Sequence, residues 1–140
     1  IRDTMTGETD GPLGAISLAG ALEALGKKAV IVTDVYSADI MISGLLARGV
    51  TAAVEVVPAE ETGCFCEVLL DRYKPSHIVA IERPGRSKDG RCYSMRGEDL
   101  SDIVPNTDLL LEKAGERGIT TIAVGDGGNV PYYKLCQVWR

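Results

Sequence analysis

His77-Ile78-Val79-Ala80-Ile81-Glu82-Arg83-Pro84-Gly85-Arg86 joins a short apolar run to a dense polar turn. The run His77–Ile81 reads as a buried strand, too short for a helix and rich in β-branched residues. A carboxylate stands at its end, and cations follow at once. In open α/β sheets, ligands bind in the crevice beyond the carboxyl ends of the strands. The chain therefore puts its densest polar chemistry where such folds keep their sites.

The same pattern repeats outward in both directions. Glu8-Thr9-Asp10-Gly11-Pro12 opens a helix, with Asp10 or Gly11 as cap and Pro12 in the first turn, where a missing N–H costs nothing. That helix runs to about Leu25 on an apolar stripe of Ile16, Leu18, Leu22 and Leu25, and Gly26 stops it. Ala29 to Asp34 is a strand. Ser37 to Arg48 is a helix, ended by Gly49. Thr51 to Val57 is a strand, and Glu60 to Tyr73 a weaker helix closed by Pro75. Arg83 to about Pro105 is irregular, and such long segments are usually functional or disordered. Asn106 caps a helix to about Arg117, and Ile119 to Val124 is the last strand. This alternation predicts an α/β fold, a Rossmann-like three-layer sandwich with a mostly parallel sheet and right-handed crossovers. No internal repeat or domain boundary shows, so residues 1–140 read as a single α/β domain.

Composition narrows the function classes. The chain has 140 residues, enough for one core. Its net charge of −5 argues against nucleic-acid or membrane-surface partners, which want a basic face. No run of about 18 apolar residues occurs, so no transmembrane helix is expected. The start, Ile1-Arg2-Asp3-Thr4, has no signal-peptide pattern and no initiator Met, which reads as a fragment or a trimmed chain. Cys64 and Cys66 form C-x-C rather than C-x-x-C, and His77 is the only histidine, so zinc is not expected. Reduced thiols fit a cytosolic-type compartment. Self-association into a homo-oligomer is left open.

Three constellations carry chemistry. The helix start at Glu8–Pro12 offers free N–H groups to a carboxylate or phosphate, and Gly11 lets a ligand near the backbone; the alternative is a plain N-cap. The segment Glu82–Arg96 sets Arg83, Arg86, Lys88, Arg91 and Arg96 against Glu82 and Asp89. Arginine forks grip carboxylates bidentately, and Pro84-Gly85 can aim Arg83 and Arg86 together; the alternative is a solvated loop of internal ion pairs. Gly125-Asp126-Gly127-Gly128-Asn129 can form a nest of N–H groups for an anion, yet is neither a Walker A nor a G-x-G-x-x-G motif; the alternative is a tight turn. Thr33-Asp34 could line the same crevice or cap the next helix. His77 reads as structural, and Cys64 and Cys66 as core residues.

Together these stretches resemble the D-glutamate cyclase family, in the C-terminal domain formerly of unknown function. The resemblance rests on Glu8–Ala15, on Ala80–Arg86 with Asp89-Gly90 and Tyr93, and on Val124–Asn129, in that order. It covers roughly residues 8 to 129. It implies a hydro-lyase that interconverts D-glutamate with 5-oxo-D-proline and water, mitochondrial in eukaryotic members. The chain departs from the family pattern near Gly7 and after Asn129, where missing loops are expected.

Cyclising glutamate requires the α-amine to attack the γ-carboxyl carbon while a base takes a proton and an acid helps water leave. On this reading Arg83 and Arg86 hold carboxylates, Glu82 or Asp126 is the base, and Asp10 orients the ammonium. N–H groups of Gly127 and Gly128, or of the helix at Gly11, stabilise developing charge, beside Asn129. Glu8, Asp10, Glu82 and Asp126 could instead gather Mg²⁺ or Mn²⁺. The competing readings are a non-catalytic module for a small acidic metabolite and a phosphate- or nucleotide-dependent enzyme.

Overall fold

The computed structural model describes residues 10–94 and 96–125. Helices and strands alternate, and the strands pair in parallel, as the apolar runs predict. The described chain divides between Val57 and Pro58 into two compact units, each ordered helix–strand–helix–strand. The pairings lie in two small sheets, one per unit. Among the described residues no helix is long and apolar enough to cross a membrane. The expected breaks near Gly7 and Asn129, and Glu8, lie outside the described residues.

The first unit holds α1 (Asp10–Ala24), β1 (Val30–Thr33), α2 (Ala38–Ala47) and β2 (Ala53–Val56). α1 is rich in Ala and Leu, which lose little rotamer freedom in a helix. It stops at Gly26, whose φ of 71° suits a residue without Cβ, and Lys27 N–H returns to the Leu22 carbonyl at 2.9 Å. β1 and β2 run parallel from Val30↔Ala53 to Thr33↔Val56. Ile16 and Ala19 of α1, Ile31 of β1, and Met41 and Leu45 of α2 form the core. Asp34 closes the turn that leads into α2: its Oδ1 accepts the N–H groups of Tyr36 at 3.0 Å and Ser37 at 3.1 Å, while Ser37 holds the N-cap position without a side-chain cap bond.

α1 and α2 approach closely at Gly44. A Cβ there would stand 2.4 Å from Ile16 Cδ1, in a core where Ile16 is 4% exposed. The Ile16 side chain must therefore rotate or the helices must part. Overpacking costs about 1–3 kcal/mol, and alanine gains about 0.5–1 kcal/mol over glycine inside a helix, so Gly44→Ala is expected to destabilise the protein by up to about 2 kcal/mol. A denaturant midpoint at or above the wild-type value would show that the seam relaxes freely.

The second unit holds α3 (Thr62–Tyr73), β3 (His77–Ile81), α4 (Asp108–Glu116) and β4 (Thr120–Val124). Cys66, Leu69 and Leu70 of α3 are buried, as are Leu110 and Ala114 of α4. Glu67 accepts hydrogen bonds from Lys113 Nζ and Arg117 Nη2, and Asp71 accepts from Arg117 Nη1 at 2.6 Å, tying the two helices along their exposed flank. Cys64 is exposed, against the expectation of two core thiols, because residues two apart on a helix point to different faces. β3 and β4 pair from His77↔Thr120 to Ile81↔Val124. β3 is half-buried from Ile78 to Ile81, with His77 exposed, rather than buried throughout.

The described residues between β3 and α4 make defined backbone contacts. Arg86 bridges Cys92 and Tyr93 bridges Asp99, both antiparallel. Turns close at Gly90 and Gly97, where φ reaches 82° and 79°. Cys92, Leu100 and Val104 form a small core of their own. Leu100 N–H meets the Cys92 carbonyl at 2.7 Å, and Ser101 Oγ accepts from Cys92 N–H at 2.9 Å. A few buried apolar residues thus stabilise a stretch that shows no helical or strand period.

Candidate functional site

Glu82 is the first residue past the β3–β4 ladder. Its N–H still donates to the Val124 carbonyl at 2.8 Å, so the pairing extends one step beyond Ile81. Its φ is +46°, a left-handed conformation that is costly for a residue with a Cβ. That turn diverts the chain off the strand and sends Arg83 and Arg86 toward the start of α4. Residues held in such regions cluster at functional sites, where the surrounding structure over-determines them.

The two arginines are then fixed by the residues around Asp108. Arg83 Nε donates to Thr107 Oγ1 at 3.1 Å. The Arg86 N–H donates to Asp108 Oδ2 at 2.7 Å, and Arg86 Nη1 donates to the Gly90 carbonyl at 2.6 Å. Among the described residues, the buried Nε of Arg86 and the buried Oδ1 of Asn106 have no hydrogen-bond partner. Asn106 does not cap α4, contrary to the sequence expectation. The helix begins two residues later with Thr107 at the N-cap position, and Thr107 makes no side-chain cap bond. Its hydroxyl instead accepts from Arg83, so the helix start serves the loop.

The same neighbours set the electrostatics within this unit. Burial pushes the Cys92 thiol up, and Arg83 and Arg86 both pull it down. Burial also pushes the Asp108 carboxyl above its ordinary 3.8, with Glu112 adding to the rise; the Arg86 N–H, then the charges of Arg86 and Arg83, oppose it. The same two guanidinium groups thus act on the same two side chains. A raised carboxyl pKa means that folding favours the protonated form. That contribution is complete below pH 3.8 and is lost as pH rises through the folded value. Ionised Asp108 is therefore a stability cost at neutral pH. Asp108→Asn keeps an acceptor for the Arg86 N–H and removes the charge. It is expected to raise the melting temperature at pH 7, with the gain vanishing below pH 3.8. A lower melting temperature at pH 7 would show that the carboxylate stabilises its arginine neighbours by more than its burial costs.

The remaining sequence candidates divide into two sets. Asp10 opens α1 and is exposed, and Gly11 next to it is buried. Both belong to the first unit. Asp126, Gly127, Gly128 and Asn129 lie outside the described residues. Gly125 follows Val124, the register partner of Ile81, so the third motif begins at the same end of the ladder as Glu82. Among the described residues no group of three His, Cys, Asp or Glu side chains could hold a metal ion. The Mg²⁺ or Mn²⁺ set drew on Glu8 and Asp126, which are not described. Sequence reasoning missed Asp108, Thr107 and Asn106 as site residues. Their signal was present as Asn-Thr-Asp before an apolar run, but capping residues and binding residues are the same types.

The chain also has similar proteins. The profile of the family described as D-glutamate cyclase-like, C-terminal, matches residues 1–130. The human protein named D-glutamate cyclase, mitochondrial, is 34% identical over 134 residues, covering 87% of this chain and 22% of the human protein's length.

Proposed function

Because the chain belongs to the D-glutamate cyclase-like C-terminal family, we propose that its loop site interconverts D-glutamate with 5-oxo-D-proline and water. The observation that carries this reading is the pair Arg83 and Arg86, folded against Asp108 immediately past Glu82. A dicarboxylate substrate needs such cations, held rigidly by second partners. The parallel pairing within each unit supports the Rossmann-like domain that this reading expects.

In the forward direction the α-nitrogen attacks the γ-carboxyl carbon. The N–C bond forms, one C–O bond breaks, and the departing oxygen takes up the two protons that the nitrogen sheds and leaves as water. Glu82 or Asp126 takes the proton from the ammonium, since only the free amine is nucleophilic. Arg83 and Arg86 hold the carboxylates, which fold the substrate so that its ends meet. N–H groups of Gly127 and Gly128, with Asn129, stabilise the tetrahedral oxyanion.

Incubation of the protein with D-glutamate, and separately with 5-oxo-D-proline, tests the reading by NMR detection of the ring methylenes. Interconversion in either direction supports it. No turnover with added Mg²⁺ or Mn²⁺, or without metal, sinks it. The buried Arg86 Nε, without a partner among the described residues, also suits a module that binds a small acidic metabolite without reaction. Saturable binding with no turnover would select that module.

A further inference from the structure

Two buried polar atoms of opposite kind remain unmatched in the loop cluster. Arg86 Nε is a donor and Asn106 Oδ1 an acceptor, and neither has a partner among the described residues. Buried polar groups are normally hydrogen-bonded, so an orphan of each sign in one cluster calls for a molecule with both complements. The two belong together by their neighbours. Thr107, next to Asn106, receives the Arg83 Nε bond, and Asp108 receives the Arg86 N–H. Arg86 Nη1 is already committed to the Gly90 carbonyl. That leaves the Nε side of the guanidinium, whose parallel N–H groups match the two oxygens of a carboxylate.

We infer that the Arg86 Nε edge and Asn106 Oδ1 form an amino-acid reader, in which the edge takes a carboxylate and Asn106 accepts from the ammonium. Asn106 is then a specificity-determining residue, distinguishing an amino dicarboxylate from a plain one. This inference rests on the reading that the loop takes an acidic substrate. Its chemistry is asymmetric. A dicarboxylate without an amine would satisfy Arg86 and leave Asn106 Oδ1 buried and unmatched. A site built to bond a polar group discriminates sharply against the analogue that lacks it. The Asp108 carboxylate, two residues on, gives an ammonium the opposite charge that a buried cation needs.

Calorimetric titration of the intact protein with D-glutamate and with glutarate, which lacks the amine, tests the inference directly. The wild type is expected to bind D-glutamate about 10- to 100-fold more tightly than glutarate, the range for one hydrogen bond to a charged group. Asn106→Leu should erase that preference by weakening D-glutamate alone. Arg86→Lys should weaken both ligands. Asn106→Asp keeps the acceptor and should keep the preference, which decides the matter should the leucine variant not fold. Equal wild-type affinities, no binding of either ligand, an unchanged preference in Asn106→Leu, or a lost preference in Asn106→Asp would overturn the inference. Preferential D-glutamate binding without turnover would sink the lyase reading and leave the amino-acid reader standing. Turnover with an unchanged preference in Asn106→Leu would do the reverse.

Discussion

Arg86→Ala is expected to lower kcat/KM for D-glutamate by about 10²–10⁴. The fork's remaining edge can give a carboxylate two charge-assisted hydrogen bonds, each contributing about 1.5–3 kcal/mol, and each 1.4 kcal/mol is about tenfold. The fold should hardly notice the change. The lost Nη1 bond to Gly90 is exposed, and alanine removes a buried Nε that lacks a partner among the described residues. The loop keeps its Asp108 anchor, because that bond uses the Arg86 main-chain N–H rather than the side chain. Steady-state kinetics together with thermal melting separates the two effects. A wild-type kcat/KM in a well-folded Arg86→Ala protein would remove Arg86 from the substrate site. Arg86→Lys should recover only part of the loss, since an ammonium supplies charge without the planar fork.

The second large effect concerns Glu82 and separates chemistry from strain. Glu82→Gln retains the left-handed backbone and size but cannot act as a base, so turnover should fall about 10²–10⁴-fold with stability unchanged. Glu82→Gly should lose turnover equally, but it also releases the conformational cost at φ +46°. That release contributes about 1–2 kcal/mol. The greater freedom of glycine in the unfolded chain takes back about 0.4–1 kcal/mol. The glycine variant is therefore expected to match or exceed the wild type in denaturant midpoint while being inactive. Wild-type turnover in Glu82→Gln would assign the base elsewhere, to Asp126 on the present reading. A clear loss of stability in Glu82→Gly would mean that the carboxylate, not the backbone, holds the turn.

Much of this arrangement was legible in the residue string. Each element lies within two residues of its expected bounds, because apolar runs and Gly26, Gly49 and Gly118 punctuate the chain clearly. Parallel pairing followed from the alternation alone. The candidate site was legible as a location in the chain: polar residues crowd the end of β3. Its internal wiring was not. The bonds from Arg83 to Thr107 and from Arg86 to Asp108 cross more than twenty positions, and no local pattern encodes them. Asn106 shows the limit most clearly. Its residue type and place before Leu109–Leu111 spell a helix cap, yet the helix takes Thr107 at that position and leaves the Asn106 oxygen unused. The segment from Arg83 to Pro105 looked structureless because Cys92, Leu100 and Val104 are too widely spaced to show a period.

That small core has a consequence for how the segment can diverge. The Arg86–Cys92 rung and the Cys92–Leu100 bond hold the base of the loop, while Lys88-Asp89-Gly90 and Arg96-Gly97-Glu98 are exposed tips beyond it. Substitutions or insertions at those tips leave the rung and its buried anchors in place. The lineage can thus vary these exposed tips without disturbing the buried anchors beneath them. On the proposed function, relatives that differ only at the tips should keep the Arg83 and Arg86 contacts to a substrate unchanged.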